Sequence, residues 1–295
     1  MHAIISSIKN YVEGFWIKMN YKIILDSCGE IPQEYKNDER FVSVPLGLEV
    51  GDYCILDDEN FNQAEFLQKV AEYPKCPRSS CPSPERYQDA YLSDAERIYV
   101  ITLSSELSGS HNSACLARNL YQEKYGEKQI HVVDSLSASC GETQIALKIM
   151  EFEEQGLSFE EIVERIERFR DEMKTYFVLD NLETLRKNGR LSGVKSVMAS
   201  TLSIKPVMAA EEGVIVQKGQ CVGIKKALGK LAEMAANVPD ADRKRLMITH
   251  CNAPERAELV KRLATAKQAF RECIIMDMRG VSSMYANDGG IIVTV

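Results

Sequence analysis

Short apolar runs ending in small hydroxylated residues recur through the first half of the chain. Residues 22–26 (KIILD) lead into Ser27-Cys28-Gly29, 98–103 into Ser104-Ser105, and 130–134 into the polar turn 135–141. Runs this short, rich in β-branched and aromatic residues, predict buried strands. After Ser108, apolar residues fall at Ala114, Leu116, Ala117 and Leu120, a helical spacing that predicts a helix to about Tyr125. Further helices are predicted over 62–73, with Phe66, Leu67 and Val70 on one face, and over 85–92 and 142–154. Residues 41–50 read as two extended pieces around Pro45. The stretch 74–84 (PKCPRSSCPSP) has four prolines in eleven residues and reads as irregular. Strands alternating with helices imply a parallel sheet covered on both faces, with ligands beyond the carboxyl ends of its strands.

The pattern changes near Gly156. Ser158 and Glu161 form a capping box, and Ile162, Ile166, Phe169 and Met173 give the next helix its apolar stripe. Strands are predicted at 176–180, 205–211, 214–218, 245–251, 273–279 and 290–295. Helices are predicted at 192–202, 224–236 and 253–270, the last begun by Asn252. Glu-Glu-Gly at 211–213 reads as a hairpin turn. The expected fold is α/β. An N-terminal domain (19–156) has a parallel sheet flanked by helices. A C-terminal α/β domain (157–295) has a mixed or antiparallel sheet, and the ligand lies between the two. Residues 1–18 read as an extension ahead of Met19.

Composition removes several classes of function. A net charge of −7 argues against a nucleic-acid binder, and no apolar run is long enough to span a membrane. The nine cysteines are scattered and never spaced C-x-x-C, which suits a reducing cytoplasm. Cys76 and Cys81 read as loop thiols rather than zinc ligands. No phosphate loop, GxGxxG or GxSxG is present, and Ser192 to Lys195 matches S-x-x-K without its companion motifs.

The residues leave several chemistries open. The hydroxyl cluster Ser104, Ser105, Ser108 and Ser110 either caps the following helix or seats an anion on its free N–H groups. Asp26 and Asp134 close strands, as helix caps or as acids and bases. His250 is expected to make an orienting hydrogen bond, and His111 to be exposed. In Arg186-Lys187-Asn188-Gly189-Arg190, the basic run is either a solvated face or a tight turn aiming Arg190 at a carboxylate or phosphate.

LSSELSGSHNSA (103–114) resembles the core signature of the DegV family of bacterial fatty-acid-binding proteins. ILDSCGEIP (24–32) is similar to the family's opening strand and turn, and SSCPSP (79–84) to its Thr-Ser-Gln-Pro-Ser-Pro loop. LETLRKNGRLS (182–192) and IKP (204–206) resemble two later family segments, in the family's order, and the resemblance runs from Tyr21 to Val295. It implies a two-domain α/β lipid-binding protein that is not itself an enzyme and carries no cofactor or metal. One long-chain fatty acid would lie between the domains, its carboxylate on the hydroxyls of Ser79, Ser104 and Ser105 and its tail in an apolar tunnel. The partner so implied is the ATP-binding subunit of a fatty acid kinase, which phosphorylates the presented carboxylate to an acyl-phosphate. The family's His-x-Gly-Pro-Gly appears here as Tyr285-Ala286-Asn287-Asp288-Gly289, so the Tyr285 hydroxyl stands in for the histidine. Arginines carried by many members near the kinase are absent at Cys221-Val222-Gly223-Ile224. Two other readings remain: a hydrolase with a loop-serine nucleophile, and a small-anion or phosphometabolite binder.

Overall fold

The computed structural model describes residues 11–12, 15–16, 20–191 and 203–295. The helix expected over 192–202 lies outside them. So does most of 1–18, apart from a short antiparallel ladder pairing Tyr11–Val12 with Phe15–Trp16.

The first half of the chain runs β1 (Tyr21–Asp26), β2 (Phe41–Val44), β3 (Gly47–Val50), β4 (Tyr53–Leu56), α1 (Gln63–Glu72), β5 (Arg78–Ser80) and α2 (Pro84–Tyr91). It continues through β6 (Arg97–Thr102), α3 (Ser110–Tyr125), β7 (Gln129–Asp134) and α4 (Cys140–Glu154). Four strands pair in parallel in the order β2-β1-β6-β7. Crossovers leave β1 and β6 in opposite directions, which opens a crevice at the carboxyl ends of these two strands. β1 and β6 are buried almost throughout, as a sheet covered on both faces requires.

The proline-rich stretch 74–84 is not wholly irregular. Arg78–Ser80, within its longest proline-free run, form β5 on the edge of a small antiparallel sheet in the order β4-β3-β5. An edge tolerates the missing N–H groups of Pro77 and Pro82 outside the ladder.

The second half runs α5 (Phe159–Glu172), β8 (Thr175–Val178), α6 (Glu183–Lys187), β9 (Ile204–Glu211), β10 (Val214–Val222), α7 (Ile224–Ala236), β11 (Arg245–His250), α8 (Pro254–Thr265), β12 (Glu272–Asp277), α9 (Gly280–Ala286) and β13 (Ile291–Thr294). Its six-stranded sheet has the order β10-β9-β8-β13-β11-β12 and is mixed, parallel between β11 and β12 and antiparallel elsewhere. The capping box at Ser158 and Glu161 is formed in both directions. The tip of the β9–β10 hairpin turns on Glu212 and Gly213, at φ 50° and 80°. Asn252 does not start α8: Ala253 occupies the cap position, and the Asn252 amide instead donates to Asp288 at 3.0 Å. The short helices α6 and α9 are not apparent in the sequence pattern.

α4 joins the two halves. Eleven of its 15 residues are buried. Ile145, Ile149 and Phe152 share a core with Ile23 and Ile101 of the first sheet and Met247 of the second. α5 buries Ile162 and Ile166 in that same core. No described helix is long and apolar enough to cross a membrane.

Candidate functional site

A cavity of about 340 Å³ lies between the two halves. From the first half, its wall is built by segments just beyond the carboxyl ends of β1, β6 and β7: Cys28, Leu103, Leu107 and Ala138. β5 adds Ser79, Ser80 and Cys81. From the second half, Thr175, Phe177 and Leu179 project from alternate positions along and just past β8, the two-residue period of a strand. α9 contributes Val281, Ser282, Tyr285 and Ala286, and the β9–β10 hairpin contributes Ala210 and Ile215. Most of this surface is hydrocarbon, so the ligand chemistry it favours is a long apolar chain with few polar points of attachment.

Two of the sequence-predicted residues meet in this cavity. Ser79 Oγ and Tyr285 Oη lie 3.1 Å apart, and both are half-buried. Arg190 also lines the cavity. Gly189, at φ 75°, makes the tight turn before it, and the guanidinium donates to Leu107 O at 3.0 Å and to Asn188 O. Asn188 donates to Pro77 O at 3.0 Å, which ties this turn to the approach of β5. Among the described residues no carboxylate pairs with Arg190, and a guanidinium has five donors to offer.

Ser104 and Ser105 do not line the cavity, contrary to the sequence expectation. Ser104 is fully buried, and its hydroxyl donates to Gly213 O at 2.8 Å, bonding the first half to the hairpin tip. The Ser105 hydroxyl donates to the Asp134 carboxylate, whose other oxygen accepts the Ser105 N–H at 3.1 Å. Both hydroxyls are committed to holding loops. Ser110 likewise donates to Asp26 and exchanges a hydrogen bond of 2.6 Å with Tyr87 Oη. No histidine or lysine is hydrogen-bonded to Ser79, Ser104 or Ser105 among the described residues, and the one acid that meets a hydroxyl of these three is Asp134, at Ser105. His250 accepts the Ala253 N–H at 3.3 Å, the orienting bond expected of it. His111 is half-buried rather than exposed, its Nδ1 lying 3.4 Å from Thr102 Oγ1.

Cavity residues missed in the sequence include Ser137, Thr175 and Ser282. Ser137 Oγ and Thr175 Oγ1 lie 2.7 Å apart across the two halves. Ser137 belonged to a turn already notable for its hydroxyls; nothing local marked Thr175 or Ser282.

Buried acids gather around Cys28 and Ser282 of the cavity wall. Glu30 accepts from Ser139 at 2.9 Å, yet burial still pushes its carboxyl up to about 7. Glu142 is raised well above the usual range, by burial and then by the neighbouring Asp26 charge. Asp26, Cys28 and Glu142 bring three donor atoms within 4.8 Å of one another. Burial raises all three above their ordinary values. Asp26 is already occupied by the N–H groups of Cys28 and Leu103 and by Ser110.

The fold and cavity define a class: two-domain α/β proteins that enclose a largely apolar chamber between their domains. A DegV family model matches residues 20–294, and the chain belongs to the DegV family. A DegV domain-containing protein of Streptococcus pneumoniae is 35% identical over 280 residues, covering 93% of this chain and 98% of that one. A solved DegV family protein from Ruminococcus gnavus, refined with vaccenic acid, superposes with a TM-score of 0.91 at 54% identity and covers 94% of this chain and all of that one. The Fatty Acid Kinase (Fak) B3 protein of Streptococcus pneumoniae, solved loaded with linoleic acid, superposes with a TM-score of 0.83 at 32% identity, covering 93% of this chain and 98% of the other.

Proposed function

We propose that this chain binds one long-chain fatty acid, with the acyl tail in the inter-domain cavity and the carboxylate on Ser79, Tyr285 and Arg190. The observation that carries this reading is the apolar chamber of about 340 Å³ with the Ser79–Tyr285 hydroxyl pair in its wall. Burying about 15 methylenes at roughly 0.8 kcal/mol each gives a gross term near 12 kcal/mol, the larger share of affinity. A hydrogen bond to a charged carboxylate adds about 1.5–3 kcal/mol. The hydroxyls and the guanidinium therefore fix where the head lies and make its partial burial tolerable. The fatty acids carried by the solved Ruminococcus and Streptococcus proteins support the same ligand class here.

We further propose that the bound acid is presented, in the cytoplasm, to a separate ATP-binding kinase subunit that converts the carboxylate to an acyl-phosphate. In this reading the chain is a carrier and performs no chemistry itself. Organic extraction of the purified protein followed by mass spectrometry tests the binding: one acyl chain per protein is expected, and the lack of any retained or exchangeable acyl chain overturns it. Adding the loaded protein to a fatty acid kinase subunit and ATP tests the second step, with acyl-phosphate as the expected product.

A further inference from the structure

A second concavity opens at the far end of α4. Gln144, Lys148 and Phe152 stand four residues apart, on one face of that helix. Together with α5 and the segment leading into β11 they enclose about 320 Å³. Phe152 lies about 18 Å of helix beyond Cys140. Among the described residues, none lines both this crevice and the acyl cavity.

Among the described residues, the crevice wall carries Lys148, Arg165, Arg168, Arg243, Lys244, Arg245 and Arg271, against one acidic side chain, Glu172. On a chain of net charge −7, this concentration of cations runs against the overall balance. Part of the charge is neutralised nearby. Lys148, Arg245 and Arg271 converge on Glu151 at 3.0, 2.8 and 2.6 Å, and Arg168 pairs with Glu164 at 2.9 Å. Arg165, Arg243 and Lys244 have no carboxylate within salt-bridge distance among the described residues. The floor is aromatic: Lys148 Nζ lies 5.0 Å from the Phe152 ring centre and 5.7 Å from that of Phe169, and the Arg165 guanidinium lies 6.0 Å from Phe152. Rings that hold cation stems in place reduce the freedom lost when a ligand gathers them.

We propose that this crevice binds a compact phosphate-bearing anion. Three cations without a salt-bridge partner among the described residues, gathered in one concavity, concentrate positive potential and call for a ligand carrying two or more negative charges on neighbouring atoms. Guanidinium forks suit phosphate oxygens, and the volume falls in the range of small-ligand sites. Soluble phosphate esters and anionic lipid headgroups share this chemistry.

Titration calorimetry with tripolyphosphate, and co-sedimentation with vesicles of phosphatidylglycerol and phosphatidylcholine, test the site and separate the two sources. The full chain is compared with an Arg165→Gln/Arg243→Gln double variant and with Lys225→Gln, an exposed charge change on α7. The expected result is tripolyphosphate binding that the double variant weakens by about tenfold or more, while Lys225→Gln leaves it unchanged. Sedimentation with phosphatidylglycerol vesicles but no response to tripolyphosphate, lost in the double variant, assigns the site to a lipid headgroup. No binding of either probe, or binding that the double variant leaves intact, overturns the proposal. Circular dichroism checks that the double variant folds, and Lys244→Gln serves as a second variant if it does not.

Discussion

Ser79 Oγ stands 3.1 Å from Tyr285 Oη, although 206 residues separate the two in the chain. The pair joins β5 to α9 in the wall of the inter-domain cavity, so one hydroxyl from each half meets where the proposed function puts the ligand head. Ser79→Ala and Tyr285→Phe are each expected to weaken fatty-acid binding by about tenfold, the worth of one hydrogen bond to a charged group. Displacement of a fluorescent fatty acid measures this; equal affinity in both variants would remove the pair from the head-group site.

Ser104 and Gly213 make the opposite prediction. The Ser104 hydroxyl donates to Gly213 O at 2.8 Å, and Ser104 is not among the residues that line the cavity. Ser104→Ala is expected to cost about 1 kcal/mol of stability, by loss of one buried hydrogen bond, while acyl retention stays unchanged. Gly213→Ala should cost more. The residue sits at φ 80°, and an added Cβ would come 2.7 Å from Ser104 Oγ. Thermal melts and extracted-lipid content, measured on the same samples, separate the two effects.

Asp57 holds α9 in place. Its buried carboxylate accepts the N–H groups of Gly280 and Val281 at 2.9 Å each, and the Ser27 hydroxyl at 3.0 Å. Since α9 carries Tyr285, Asp57→Ala is expected to destabilise the protein by about 3 kcal/mol or more, leaving buried donors without partners. Urea unfolding would show this as a lower midpoint with an unchanged slope.

Glu30 gives the fold a pH dependence. Burial raises its carboxyl to about 7 against an ordinary value near 4.5. Between these values the folded chain keeps a proton that the unfolded chain has released. Stability from this group therefore falls as pH rises from about 4.5 to about 7, by up to roughly 1.4 kcal/mol per unit, and levels off above. Glu30→Gln should flatten that part of the curve. Denaturation midpoints at pH 5, 6 and 7 provide the check, and identical slopes in the two proteins would exclude Glu30 as the source.

The sequence was most informative where structure depends on a few neighbouring residues. The capping box at Ser158 needs only Glu161 three positions on, and the hairpin at 211–213 needs only residues that accept positive φ between two β runs. The edge strand β5 was hidden because its partner, β3, lies about thirty residues earlier, across a stretch whose prolines read locally as irregular. α9 was hidden because seven residues are too few for a helical period to declare itself. The cavity lining was partly legible: Ser79, Arg190 and Tyr285 come together there, while Ser104 and Ser105 do not.

By itself the sequence determined the main alternation of strands and helices, the parallel pairing of the first sheet and the hydroxyl-rich ends of its strands. These follow from periodicity, capping and turn chemistry within windows of a few residues. Only the tertiary structure decided which hydroxyls face the cavity. That choice is made by partners far away in the chain, Gly213 accepting from Ser104 and Tyr285 meeting Ser79, and no local pattern encodes which partner a serine finds.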